Sequence, residues 1–297
     1  MGSLPPTLRR TGILLVLLLA ASSCSARPHD AGAGPLTAEI SQFRDNYSRQ
    51  IIEIQLTNTT AEPITVLAAG VRSQLFASAI GWSAADAGTE LPPGQTKSLS
   101  ARLPAAACPG HAAEQDLAAD PPAAAVEVLL APAAGVPGRT VTTGAADPFG
   151  VLPRNNGEMC VAQAAAEVAG FRFGPELELS PDARSAVLRL VITPRHDARP
   201  AGALTINSVG GTTLLAEDGR VPWPVGLRID ASGPAREVRL GVRPARCDPH
   251  AVAEDKVGTL IPVRITVAGR DGVLKVGAGA QLRGRIYEFI TSACGRQ

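Results

Sequence analysis

Glu237-Val238-Arg239-Leu240-Gly241-Val242-Arg243-Pro244 alternates apolar with polar or small residues and ends just before Cys247. That alternation is the pattern of a strand with one buried face. An earlier stretch, Ser98-Leu99-Ser100-Ala101-Arg102-Leu103-Pro104, runs into Cys108 in the same way. After each cysteine the spacing repeats, as Cys108-Pro109-Gly110-His111-Ala112 and Cys247-Asp248-Pro249-His250-Ala251. Further strand-like runs follow at 125–130 and 260–267, and each block closes on a cysteine, Cys160 and Cys294. Upstream lie Ile51–Thr57 and Ala186–Thr193, preceded by Ala38-Glu39-Ile40-Ser41-Gln42-Phe43-Arg44 and Ala166-Glu167-Val168-Ala169-Gly170-Phe171-Arg172, and each block contains one tryptophan, Trp82 or Trp223. This shared order reads as one unit present twice.

Asn58-Thr59-Thr60, Pro92-Pro93-Gly94, Glu217-Asp218-Gly219 and Arg270-Asp271-Gly272 punctuate the strands as turns. Many short strands with such turns predict an all-β chain of antiparallel sandwiches. Pro92-Pro93-Gly94-Gln95 ahead of a strand resembles a phrase of immunoglobulin-like modules. The expected organisation is a signal peptide (1–23), a flexible tether rich in Ala, Gly and Pro (24–35) and two tandem immunoglobulin-like β-sandwich domains (36–160 and 161–297). Helix is expected to be scarce. Asp248-Pro249 predicts a short capped helix to Glu254, with 111–117 as its counterpart. Residues 160–169 tolerate helix but also suit the first strand of the second unit.

Arg9 and Arg10, the apolar run Ile13–Leu19 and the small residues Ser22 and Ser23 form a secretory signal in that order. The run is too short to span a hydrocarbon core of about 30 Å. Leu19-Ala20-Ala21-Ser22-Ser23-Cys24 resembles the lipobox of bacterial lipoproteins, although Ala21 stands where leucine is usual. The resemblance implies a diacylated Cys24 and attachment to the outer face of the membrane; cleavage near Ala26 and release as a soluble protein is the alternative. Five cysteines are an odd number for an exported chain. Lipidation of Cys24 leaves four for two disulfides. Pairing within units gives Cys108–Cys160 and Cys247–Cys294, with a cross-unit Cys108–Cys247 bridge left open.

Twenty-eight basic residues stand against 27 acidic ones among 297, and 45% of the chain is hydrophobic. That balance supplies no basic face for nucleic acid, and ten aromatic residues supply few stacking platforms. The sharpest chemical motif is the repeated Cys-x-x-His. Cys108, His111, Cys247 and His250 form a candidate metal or redox set, weighed against disulfide bonding of both cysteines. Trp82 and Trp223 are candidate binding anchors or core residues. Arg239 and Arg243 are candidate contacts for an anionic polymer or lipid, or else part of a solvated sheet face. Ser83 lacks the Gly-x-Ser-x-Gly setting, and His196-Asp197 reads as a turn. The sequons at Asn46 and Asn58 carry little weight.

Leader, repeat and Cys-x-x-His-Ala phrase together resemble uncharacterised actinobacterial exported lipoproteins with tandem immunoglobulin-like units. No specific activity follows from that resemblance, and the expected function is a non-catalytic binding or structural module of the envelope, without a cofactor, with a metal-binding or redox accessory protein using the repeated Cys-x-x-His as the alternative. Its expected partners are the membrane, through the lipid anchor, and an envelope protein or polymer.

Overall fold

The computed structural model describes residues 34–108, 124–132, 137–196 and 202–295. The leader with Cys24, most of the tether, His111 with the helix expected after it, and Asp197 lie outside these residues.

Strands dominate, as the alternation predicts. The first half contains β1 (Leu36–Ser41), β2 (Ile51–Asn58), β3 (Ile64–Arg72), β4 (Ile80–Ser83), β5 (Thr89–Leu91), β6 (Thr96–Arg102), β7 (Ala124–Leu130) and β8 (Arg139–Ala146). On β2, Ile52, Ile54 and Leu56 point inward and are fully buried. Each such side chain stabilises the fold by about 1.5–3 kcal/mol relative to exposure. The strands pair in the order β4-β3-β7-β8-β1-β2-β6, with β5 on β3. The order is continuous because β1 and β8 pair in parallel through Ala38↔Ala145 and Glu39↔Ala146. The other pairings are antiparallel.

The second half contains β9 (Ala169–Leu179), β10 (Ala186–Pro194), β11 (Ala203–Val209), β12 (Leu215–Glu217), β13 (Leu227–Asp230), β14 (Arg236–Pro244), β15 (Leu260–Val267) and β16 (Arg270–Gly277). They form two antiparallel sheets, β12-β14-β10-β9 and β13-β11-β15-β16. Their inner faces share one core, with Leu188, Leu190 and Leu240 from the first sheet and Leu204, Ile206 and Ile265 from the second. The trio β1-β2-β6 reappears as β9-β10-β14, and β4-β3-β7-β8 as β13-β11-β15-β16. The difference lies at one edge: β9 and β16 belong to different sheets, whereas β1 and β8 are joined.

Helix is more extensive than expected. α1 (Val151–Val168) and α3 (Ala280–Cys294) are long, and α2 (Pro249–Ala253) is the short helix predicted, with Asp248 accepting from the His250 N–H at 3.0 Å. Asp147 caps α1 by accepting from the N–H groups of Val151 at 2.7 Å and Leu152 at 2.8 Å. Pro153 sits in the first turn, where it displaces no intrahelical hydrogen bond. Residues 160–168 are therefore helix and not a first strand. The phrases 38–44 and 166–172 are likewise not counterparts: Ala38–Ser41 lies in β1, while Ala166–Val168 ends α1.

α1 serves both halves. Val151 and Leu152 belong to the first core, and Val161, Ala164, Ala165 and Val168 to the second. The boundary drawn after residue 160 falls inside this helix. Gly272 on β16 lets it approach, because a Cβ there would stand 2.5 Å from Val161 Cγ2. Cys108–Cys160 fastens α1 to the segment after β6, and Cys247–Cys294 fastens α3 to the segment after β14, with Cα separations of 5.5 and 5.3 Å. The cross-unit bridge is thereby excluded.

Candidate functional site

The helix α1 and strand β16 run side by side, and the side chains between them form the most elaborate polar cluster at the junction of the two halves. Asn156 projects from α1 into the first half, where it is buried and donates to Leu75 O at 2.6 Å and Ala107 O at 3.0 Å. Asn155 and Gln42 form a reciprocal amide pair at 3.0 and 3.4 Å, and Asn155 also donates to Val151 O at 2.7 Å. Arg154 donates to Gln42 Oε1 at 2.8 Å. On the side toward the second half, Lys275 Nζ lies 2.6 Å from both carboxylate oxygens of Glu158. The Tyr47 ring receives two cations, Arg154 at 5.3 Å and Lys275 at 5.5 Å from its centroid.

Two cavities open here. A cleft of about 290 Å³ lies among Tyr47, Gln50, Asn155, Glu158, Met159 and Lys275. Beside it, a slot of about 300 Å³ lies between the start of β9 and the end of β16, under the C-terminal half of α1. Ala162, Leu274, Lys275 and Gly277 line both. The slot arises because β9 and β16 do not pair, and alanine methyl groups are too short to fill the gap between them. A third groove of about 480 Å³ separates α3 from the far end of β9, with Leu177, Leu179 and Phe289 in its walls. Its charged rim carries Glu288 and an Arg285 already paired with Glu176.

The residues singled out from sequence take other places. Trp82 on β4 and Trp223 in the loop before β13 are half-buried against the first and second cores respectively. The Trp223 indole N–H donates to Gly241 O at 2.7 Å, which satisfies its polar edge. Arg239 and Arg243 do stand on one sheet face. Arg239 is bound to Glu178 at 2.8 Å, however, and its cross-strand neighbour Arg189 also approaches Glu178, at 3.4 Å. The Arg243 side chain donates to Pro244 O, at 3.4 Å, and is otherwise exposed. Between the two arginines a turn folds over Gly241, where a Cβ would meet Val221 O at 2.6 Å.

Cys108 and Cys247 are held in disulfides and present no thiolate to a metal, and His250 is exposed on α2. Among the described residues no group of three His, Cys, Asp or Glu side chains could hold a metal ion. Ser83 and His196 are exposed. Both sequon asparagines are buried: Asn46 donates to Glu53 Oε1 at 2.9 Å, and Asn58 to Glu62 O and Leu91 O at 2.8 and 2.9 Å.

A second polar cluster fixes α3. Asp255 accepts from the Gly258 N–H, from Thr213 and, at 3.2 Å, from the Tyr287 hydroxyl. Burial pushes the Tyr287 phenol above its ordinary value, and the Asp255 carboxylate acts in the same direction.

No protein-family profile matches this sequence, and no curated protein is similar to it. Among solved structures, red sea bream transglutaminase is 10% identical, over 84% of this chain and 32% of that one, with a TM-score of 0.22. The chain thus spans about a third of the transglutaminase's length. The Pseudomonas aeruginosa CupB2 chaperone is 14% identical over 78% and 94%, with a TM-score of 0.21. The YadV chaperone is 10% identical over 77% and 93%, with a TM-score of 0.20. Likeness at this level has no bearing on what the chain binds or catalyses.

The two disulfides assign the chain to an oxidising environment outside the cytoplasm. Among the described residues no helix is long and apolar enough to cross a membrane.

Proposed function

We propose that this protein is a non-catalytic lipoprotein of the cell envelope, built from two immunoglobulin-like units of actinobacterial type. Its Cys24 carries the lipid anchor and holds it at the outer face of the membrane. It acts there as a binding module, toward an envelope protein or polymer or a smaller ligand of the envelope. The observation that carries the reading is the pair of disulfides, one for each half, which leaves Cys24 as the single cysteine without a bonding role. A diacyl anchor gives stable attachment where one chain gives marginal binding. The junction around α1 is the binding surface that the geometry favours, since small-molecule sites gather where domains meet.

Growth with an alkyne-tagged fatty acid tests the anchor. The full-length chain is expected to take up the label and sediment with membranes, and Cys24→Ser to lose both properties. An unlabelled, soluble wild-type protein would refute the anchored reading. Crosslinking in membranes, with identification of the captured species, then tests the binding role.

A further inference from the structure

We propose that the slot between β9 and β16 binds the aliphatic chain of a single-tailed carboxylate, with the carboxylate at Arg172. Three features support this. The volume, about 300 Å³, lies at the lower end of the range for small-ligand sites, about 300–1,000 Å³. The walls carry more apolar than polar surface, with Phe171, Leu274, Val276 and Ala165 among them, and offer a hydrocarbon chain an open apolar strip. Both charged residues in the lining are cations, Arg172 and Lys275. Lys275 is already matched by Glu158. Arg172 is exposed at the rim and has no ion-pair partner among the described residues. Its guanidinium presents a planar fork that a carboxylate fits through two hydrogen bonds. An apolar slot with one uncompensated cation at its mouth complements an amphiphile with an apolar tail and an anionic head. Neutral or cationic amphiphiles lack the second half of that match.

The inference deepens the binding role proposed above and relies on envelope location only for the supply of such a ligand. Decanoate, decanol and decyltrimethylammonium, each below its aggregation concentration, are titrated calorimetrically into the oxidised mature chain. Decanoate is expected to saturate at one molecule per chain and to bind at least about tenfold more tightly than the other two. Arg172→Glu is expected to weaken decanoate about tenfold or more, because it replaces the attractive charge with a repulsive one. Ala166→Leu, at an exposed lining position of α1, is expected to fill the slot and abolish saturable binding, with an unchanged thermal unfolding profile as the control for folding. Absence of saturable decanoate binding, equal affinity for the three probes, or wild-type affinity in Ala166→Leu would each overturn the proposal. The titration contains no membrane and no acylated Cys24, so its failure would leave the anchor untouched, and a failed label at Cys24 would leave the slot standing.

Discussion

Replacing Asn156 by alanine tests whether α1 is pinned to the first half by the two carbonyls it reaches. Leu75 O would keep a second donor, the Ala107 N–H at 3.0 Å, so that loss is one hydrogen bond of about 1 kcal/mol. Ala107 O would lose its Asn156 donor at a half-buried position, at about 1–3 kcal/mol. Alanine's better helix propensity returns about 0.5 kcal/mol. The net expectation is a loss of about 1.5–3.5 kcal/mol, equivalent to about 3–14 °C in Tm for a unit of this size. Urea unfolding of the oxidised chain, followed by far-ultraviolet circular dichroism, measures it as a lower midpoint at unchanged slope. Gln163→Ala, exposed on the same helix, is the control and should stay within about 0.5 kcal/mol. If Asn156→Ala matched that control, the description of α1 as a fixed strut would be wrong.

Gly272→Ala should destabilise by about 1–3 kcal/mol, because its Cβ must displace the short side chain of Val161; pairing it with Val161→Ala should recover part of the loss in the same assay. Replacing both Cys247 and Cys294 by serine should cost about 3–4 kcal/mol by the loop-closure model, read from denaturant midpoints. Burial opposes the charge on Asp218, but hydrogen bonds from Ser185 and Arg220 outweigh it and hold the carboxyl below its ordinary 3.8, so its contribution is complete above that value and disappears as pH falls through the lower folded-state value. Unfolding series at several pH values should therefore show the gap between wild type and Asp218→Asn closing below about pH 3.8. For Tyr287 the sign is reversed: its raised value favours the neutral phenol, so stability is lost as pH climbs past about 10, and Tyr287→Phe should flatten that alkaline limb.

Strands were legible because their signal is local. Ile52, Ile54 and Leu56, or Val263, Ile265 and Val267, alternate in the chain as they alternate across a sheet. The cysteine pairing was legible through the recurring order of strand, Cys-x-x-His and closing cysteine, with similar separations of 52 and 47 residues. α1 was not legible. It is buried on different sides by different halves, so it carries no single apolar stripe; Asp147 ahead of Val151 and Leu152 was the available start signal. α3 does carry such a stripe, in Leu282, Ile286, Phe289, Ile290 and Ala293, and was legible from its helical spacing. The slot could not be foreseen, because it depends on two strand edges about 100 residues apart failing to meet, and nothing in either strand's own pattern records a missing partner.

The sharing of α1 makes the two halves interdependent. A chain cut after residue 160 would leave the first fragment with the bridged stub Val151–Cys160 and the second with only the last two turns of the helix, 161–168, to cover β16. A substitution that moves α1 is therefore felt in both cores at once.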